Sequence, residues 1–314
     1  MAQLDKVVVT GGAGFIGANL CRHLVDTGAA TEVVAFDNLS TGFAENVAAI
    51  PGVQLVEGDI LDQAHLTEVL AGAAAVVHLA ARPSVPKSID DPLASHDNNA
   101  TGTIRVLEAM RSAGVAKVVV ASSSSVYGAN PAMPKVETLT PMPVSPYAAS
   151  KLAAESYTLS YQRVFGLEAV AFRFFNVFGP LQRAGHAYAA VVPAFVDAAL
   201  AGRPLPIHGD GGQTRDFTYV GSVAEVITEV GVRGVASLPP VNRAFGTRYS
   251  LLELIELLEK ILEHPLERAH LDPRAGDVRD SQADQTALRA LVPNLEPVDF
   301  EAGLRQTVDW FRSL

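Results

Sequence analysis

The chain contains a single cysteine, Cys21, so no intramolecular disulfide can staple it and a packed core must supply its stability. That thiol falls among the apolar residues of the first expected helix, where packing rather than chemistry is its expected use. No apolar run approaches the roughly 20 residues that span a bilayer. The first residues lead through Lys6 straight into a strand and leave no apolar signal core with a cleavage site. Repeats, low-complexity tracts and flexible linkers are also missing. Positive charge is scarce, with 24 Lys and Arg against 34 Asp and Glu, and the net charge of -10 argues against a nucleic-acid-binding surface. What remains is a soluble, cytoplasmic globular protein with no membrane, nucleic-acid or metal partner. Its 314 residues, 48% of them hydrophobic, suffice for a sizeable core in one or two domains.

The most informative stretch lies close to the amino terminus. Val7–Thr10 reads as a short buried strand, the turn that follows carries Gly11, Gly14 and Gly17, and a helix opens through Ala18 and Leu20. Such a turn holds a dinucleotide pyrophosphate: the first glycine permits the bend, the second lets backbone approach the phosphates, and the third lets helix and strand pack closely. Unpaired N–H groups and the positive dipole end at the helix start then face the anion. Asp37 ends the next strand, twenty positions past Gly17. A carboxylate there accepts hydrogen bonds from the adenosine ribose hydroxyls and repels a 2′-phosphate, so NAD is expected rather than NADP.

Apolar strands alternate with helices along the chain. Strands are expected at Val7–Thr10, Val33–Phe36, Gln54–Glu57, Ala75–Leu79, Lys117–Ala121 and Glu168–Phe172, and helices at Gly14–Thr27, Thr101–Ser112, Pro146–Val164 and Val191–Ala201. Near-continuous hydrophobicity within each strand calls for an α/β fold, a doubly wound parallel Rossmann sheet covered on both faces. Ser250 with Glu253 forms a potential capping box for a further helix. Beyond Phe175, Pro and Gly punctuation at Gly179-Pro180, Pro204, Pro206 and 209–212 suggests a smaller, loop-rich lobe. We therefore expect a dinucleotide-binding domain over 1–175 and a substrate lobe over 176–314, with part of 217–246 returning to the first.

A second constellation follows the fifth strand: Ser122-Ser123-Ser124-Ser125-Val126-Tyr127, then Ser145-Pro146-Tyr147-Ala148-Ala149-Ser150-Lys151. On a helix, Tyr147 and Lys151 share a face. A nearby ammonium favours phenolate, as does the positive nicotinamide of a bound oxidised cofactor, so Tyr147 can accept a proton near neutral pH. Serine hydroxyls from the strand end can bridge the reacting alcohol to it.

With these motifs the chain closely resembles the extended short-chain dehydrogenase/reductase superfamily and, within it, the NAD-dependent nucleotide-sugar 4-epimerases. The resemblance runs through Thr10–Gly17, Asp37–Gly42, 57–60, His78–Ala81, Asn98-Asn99, the serine run, Tyr147 with Lys151, and Arg173–Pro180. It implies catalysis by Ser123, Tyr147 and Lys151. Cofactor contacts are implied for Gly11, Gly14, Phe15, Ile16, Gly17, Asp37, Asn38, Ser40, Thr41 and Gly42. Asp59 and Ile60 resemble the adenine contacts, Leu79, Ala80 and Ala81 the cofactor lining, and Asn98 and Phe175 the nicotinamide-side contacts.

For the substrate, the resemblance implies contacts from Val85, Ser124, Val192, Ile207, His208 and Gln213, with Asn176 and Arg215 at the sugar-nucleotide phosphates. Arg274 adds a second phosphate contact and Asp277 meets the uridine ribose. The implied reaction is inversion at C4 of a UDP-hexose through a 4-keto intermediate, with NAD retained between half-reactions. Related dehydratases carry an Asp-Glu pair where Ser124 and Ser125 stand here, which favours epimerisation.

UDP-glucose/UDP-galactose is the leading substrate pair. Ser281, small where a tyrosine would narrow the pocket, leaves room for an N-acetylhexosamine, although Gly185 replaces an asparagine of the N-acetyl-selective group. Arg183 could meet a uronate carboxylate, which keeps UDP-glucuronate as runner-up. From another class comes a catalytically silent NAD-binding sensor, against which the intact Ser123, Tyr147 and Lys151 stand; an NADPH-dependent reductase fits Asp37 poorly. Relatives dimerise through the equivalents of the Thr101–Ser112 and Pro146–Val164 helices, so Ile104, Leu107, Leu152 and Leu159 suggest a homodimer, or else simply cover the sheet.

Overall fold

The computed structural model describes residues 3–184, 190–237, 239–272 and 279–314. Seven parallel strands form its main sheet. They are β1 (Leu4–Thr10), β2 (Ala30–Asp37), β3 (Val53–Glu57), β4 (Ala75–His78), β5 (Lys117–Ser123), β6 (Glu168–Phe174) and an edge strand, Val241–Arg243. Their spatial order is edge strand, β6, β5, β4, β1, β2, β3. Successive side chains of a strand point to opposite faces. Val7 and Val9 accordingly join one core cluster with Leu20, Val33 and Ile227, while Val8 joins the opposite one with Val34, Phe36, Leu107 and Met110. All three valines are at most 1% exposed. Burying each such side chain contributes about 1.5–3 kcal/mol, so the valine-rich strands are stable only between two helical layers.

Pairing Thr10 with both Phe36 and His78, and Ser123 with Phe174, aligns the carboxyl ends of the strands along one rim. The chain winds away from β1 in both directions, which opens a crevice at that rim between β1 and β4.

Most expected helices form within a residue or two of the sequence reading: Phe15–Asp26, Pro146–Phe165 and Val191–Leu200. The helix expected from Thr101 differs at its start. A π-helical turn, Asp97–Thr101, leads into Gly102–Ala113. This widened turn seats the Asn99 side chain in the interior, where it accepts from the Arg82 N–H at 2.7 Å and donates to Ser150 Oγ at 2.9 Å. Single π turns of this kind recur beside functional sites.

A second core lies past β6. Phe178, Phe195, Phe217, Leu254, Leu258 and Leu304 pack there, with Phe217 stacked on Phe300 at 5.0 Å. Ser250 and Glu253 form the capping box that starts Leu251–Leu262. Two parallel strands, Asn176–Phe178 and Phe217–Tyr219, link this core to the sheet. Among the described residues, no helix is long and apolar enough to cross a membrane.

Candidate active site

Gly11 adopts φ +72°, and a Cβ there would meet Ala80 N at 2.7 Å; one on Gly17 would come within 2.1 Å of the Gly11 carbonyl oxygen. Neither position accepts a side chain. No side chain caps the helix at Gly14, so its first N–H groups remain available to an anion in the cleft lined by Gly14, Phe15, Ile16 and Gly17. Asp37 is buried; its Oδ2 accepts from the Ala13 N–H at 3.0 Å and its Oδ1 from the Leu39 N–H at 2.8 Å. The carboxylate thus fixes the glycine turn, and each oxygen keeps a lone pair for a ribose hydroxyl. Asn46 donates to the Ala13 carbonyl at 2.8 Å from the other side.

The cleft encloses about 500 Å³ and runs from Asp37 to Tyr147. Asn38, Ser40, Thr41, Ile60, Leu79, Ala80, Ala81, Asn98, Ser123, Lys151 and Phe175 also line it. A side-chain-free cradle, an uncapped helix start and a carboxylate at the end of β2 together fit a dinucleotide without a 2′-phosphate. Several anticipated residues lie off this lining. Gly42 packs against Ala13 and the Asp37 carboxylate, and Asp59 accepts from Asn38 Nδ2 at 3.0 Å. Val85 opens the helix Val85–Asp90, and Ser124 starts a 3₁₀ turn after β5.

At the Tyr147 end of the cleft, Ser145 caps and Pro146 opens the long helix, which presents Tyr147 in its first turn. Burial pushes the Tyr147 phenol up, and a hydrogen bond with Ser123 draws it back down. Ser123 Oγ in turn accepts from the Ser125 backbone N–H at 3.2 Å and the Ser125 hydroxyl at 2.9 Å.

Lys151 is 5% exposed and donates to the Ala121 carbonyl at 2.8 Å; burial lowers its pKa to about 8. The ammonium expected near the phenol thus sits one helical turn from Tyr147 and gives its hydrogen bond to backbone. His78, fully enclosed and beside the Lys151 charge, is lowered to about 3 and stays neutral between Thr10 Oγ1 at 2.7 Å and Thr103 Oγ1 at 3.1 Å.

A second cavity of about 200 Å³ adjoins the first, the two sharing Val177, Gln182 and Ala190. Asn176, Val192, His208, Gln213 and Arg215 line it. Gln213 Nε2 donates to the His208 carbonyl at 2.6 Å, and Arg215 Nη1 donates to the carbonyls of Thr214 and Arg279 at 2.9 and 3.0 Å. Ile207 is fully buried in the second core, where its aliphatic side chain packs. Arg274, Asp277 and Gly185 lie outside the described residues.

Asn46, Lys87 and Gln182 also line the large cleft and were not anticipated. Nothing in the local pattern around Asn46 marks it. Lys87 had a visible signal, as the one cation in Ser84-Val85-Pro86-Lys87-Ser88. Arg183 lines the cleft too, paired with Glu45 at 2.7 Å and stacked 3.9 Å over Phe43.

Comparison with known proteins gives a consistent result. Residues 7–237 match the NAD dependent epimerase/dehydratase family. A UDP-glucose 4-epimerase of Mycolicibacterium smegmatis is 38% identical over 314 residues, which cover 98% of this chain and 99% of that protein. The solved UDP-N-acetylglucosamine 4-epimerase from Methanobrevibacter ruminantium, in complex with UDP-N-acetylmuramic acid, superposes with a TM-score of 0.91 at 38% identity, covering 100% of this chain and 99% of that one. A Thermus thermophilus UDP-glucose 4-epimerase complexed with NAD gives 0.87 at 36% identity, covering 98% and 99%.

Proposed function

Since the chain belongs to the NAD dependent epimerase/dehydratase family, we propose that it inverts C4 of a UDP-hexose, UDP-glucose and UDP-galactose first among them, with residues 1–175 holding NAD and 176–314 mainly holding the nucleotide sugar. The observation that carries this reading is the placement of Tyr147, Ser123 and Lys151 together on the wall of a cleft that fits a dinucleotide and continues into a second cavity lined by Asn176 and Arg215.

The chemistry that NAD supplies when bound is a reversible sink for the C4 hydrogen and its electron pair. Tyr147 takes the proton of the 4-hydroxyl as the carbonyl forms and returns it to the alkoxide on the other face. Ser123 aligns that hydroxyl with the phenol. Asn176 and Arg215 hold the diphosphate, with Arg274 and Asp277 assigned to a second phosphate contact and the ribose, while the 4-keto sugar turns. A guanidinium suits this task because it pairs bidentately with phosphate oxygens. Ser124 and Ser125 bring no acid or base that could expel water from the keto sugar, which separates this site from a dehydratase.

Ser281, small and half-buried, supports room for an N-acetyl group. A uronate would need a cation at C6, and Arg183 serves only if its pair with Glu45 opens. Proton NMR of the anomeric region decides among these: the protein is incubated in turn with UDP-galactose, UDP-N-acetylglucosamine and UDP-glucuronate, and the C4 epimer of the first is expected to grow fastest. No epimer of any of the three, from protein carrying NAD, would establish the sensor instead.

We assign the active form as a cytoplasmic homodimer. The supporting surface is the outer face of the Pro146–Phe165 helix, where Tyr157, Val164 and Phe165 are exposed; Leu107, by contrast, is buried against the sheet. Sedimentation velocity at micromolar concentration tests this, and a monomer alone removes it.

A further inference from the structure

Tyr147, Lys151 and Glu155 follow one another at intervals of four on a single helix and share a face. Each engages a different one of the last three residues of β5. Tyr147 meets Ser123, Lys151 donates to the Ala121 carbonyl at 2.8 Å, and Glu155 Oε2 accepts from Ser122 Oγ at 2.7 Å. Arg173, directly across from Ser122 on β6, donates from Nε to Oε2 of Glu155 at 2.9 Å and from Nη2 to Oε1 at 2.7 Å. Both side chains of this fork-to-fork pair are nearly enclosed, 3% and 4% exposed.

The anchor of the pair is itself fixed. Arg173 Nη1 donates to the Glu137 carbonyl at 3.3 Å, and its guanidinium lies 4.6 Å over the Tyr127 ring. The Tyr127 hydroxyl donates to Asn242 Oδ1 at 2.6 Å, and the Asn242 N–H donates to Glu137 Oε1 at 2.8 Å. Burying an ion pair gains little stability over a hydrophobic pair of equal volume, because desolvation offsets the attraction. What it adds here is direction: a bidentate pair plus a serine bond admits one helix position, whereas apolar packing tolerates a slide.

We propose that Glu155 is a positioning residue for proton transfer: gripped by Arg173 and Ser122, its carboxylate sets the helix register that presents Tyr147 to Ser123 and Lys151 to Ala121. The proposal rests on the epimerase reading for what Tyr147 then does. A loosened register weakens the Ser123 bond that draws the phenol down against burial, so the ionisation midpoint of Tyr147 rises.

Glu155→Gln tests this strongly but leaves Arg173 without its anion. Ser122→Ala removes a single hydrogen bond, keeps the ion pair and guards against a folding failure. In each, the ionisation of Tyr147 is followed by tyrosinate absorbance, isolated by subtracting the titration of the same protein carrying Tyr147→Phe, and kcat and KM for UDP-galactose are measured. The expected result is a midpoint raised by about half a pH unit or more and kcat lowered roughly tenfold, the scale of a small misplacement, with KM within about twofold. Unchanged midpoints and pH profiles, with only the melting temperature reduced, would reduce Glu155 to a structural role and overturn the proposal. If the wild type converts no UDP-hexose, the functional reading fails alone, since the absorbance titration still decides whether Glu155 positions Tyr147.

Discussion

Lys151 gives its hydrogen bond to the carbonyl oxygen of Ala121 at 2.8 Å, and among the described residues none joins it to the phenol of Tyr147 one helical turn earlier. The ammonium therefore acts on the site as a buried charge, and one that is easily lost, because burial brings it down to about 8 from 10.5. Turnover should fall as pH rises through that value, when the charge that favours phenolate disappears. Lys151→Met should lose about a hundredfold or more at pH 7 and show no alkaline limb. The linkage runs the other way for stability. Between pH 8 and 10.5 the unfolded chain binds the proton more tightly than the native one, so this group's contribution to stability rises with pH across that window and is unfavourable below it. The methionine variant should accordingly melt higher than wild type at pH 7; a lower melting point would show that the bond to Ala121 outweighs desolvation.

Replacing Tyr147 by Phe leaves the ring to line the cleft and removes only the hydroxyl that meets Ser123. Turnover is expected to drop by about 10³-fold, within the range for loss of a positioned acid–base group. Bound NAD, read from the ratio of absorbance at 260 and 280 nm, should be unchanged. Turnover within tenfold of wild type would transfer the proton to another group.

Gly17→Ala tests the cradle. A Cβ at this position would stand 2.1 Å from the Gly11 carbonyl oxygen and 2.8 Å from the Gly12 Cα, both backbone, so the turn itself must move. Overpacking of this kind typically costs about 1–3 kcal/mol. Protein purified with this change should carry little NAD and melt at lower temperature. Gly72→Ala makes a useful control: its φ of +74° is also strained for alanine, but a Cβ there meets nothing within 4 Å, so NAD content should be retained.

Much of this site was legible because its parts depend on local pattern. The strand, glycine turn and helix from Val7 to Asp26 fold as the spacing of Gly11, Gly14 and Gly17 requires, and Ser250 with Glu253 forms its cap from residues three apart. What sequence could not show depends on residues far apart. Asn46 reaches Ala13 across 33 positions, Arg173 meets Glu155 across 18, and Arg183 pairs with Glu45 across 138. Lys151 illustrates the same limit at close range. Its spacing from Tyr147 was visible, yet the Ala121 carbonyl that takes its hydrogen bond comes from another element. The π turn at Asp97–Thr101 has no composition of its own and forms where Asn99 finds partners in Arg82 and Ser150.

Asp216 supplies a test of the substrate side. Its side chain is fully buried, with Oδ2 accepting from the Ala283 N–H at 3.0 Å and Oδ1 from Thr247 Oγ1 at 3.0 Å, while its backbone carbonyl accepts from both the N–H and the side-chain amide of Asn176 at 3.2 Å. One residue thus ties the segments around 247 and 283 to a residue assigned to the diphosphate. Burial outweighs these hydrogen bonds and raises the carboxyl to about 7 from 3.8. The native state therefore binds this proton more tightly than the unfolded chain, and the stability it contributes is fully present below pH 3.8 and lost as pH rises through 7. The half-buried carboxylates Asp91 and Glu301 are shifted the opposite way, and their effect is confined to more acidic solutions. Between pH 5 and 8 the wild type should lose melting temperature that Asp216→Asn, uncharged throughout, does not lose. Thermal denaturation of the two proteins across that range gives the answer: parallel curves would mean that Asp216 stays ionised, with the nearby buried Arg243 guanidinium holding its charge.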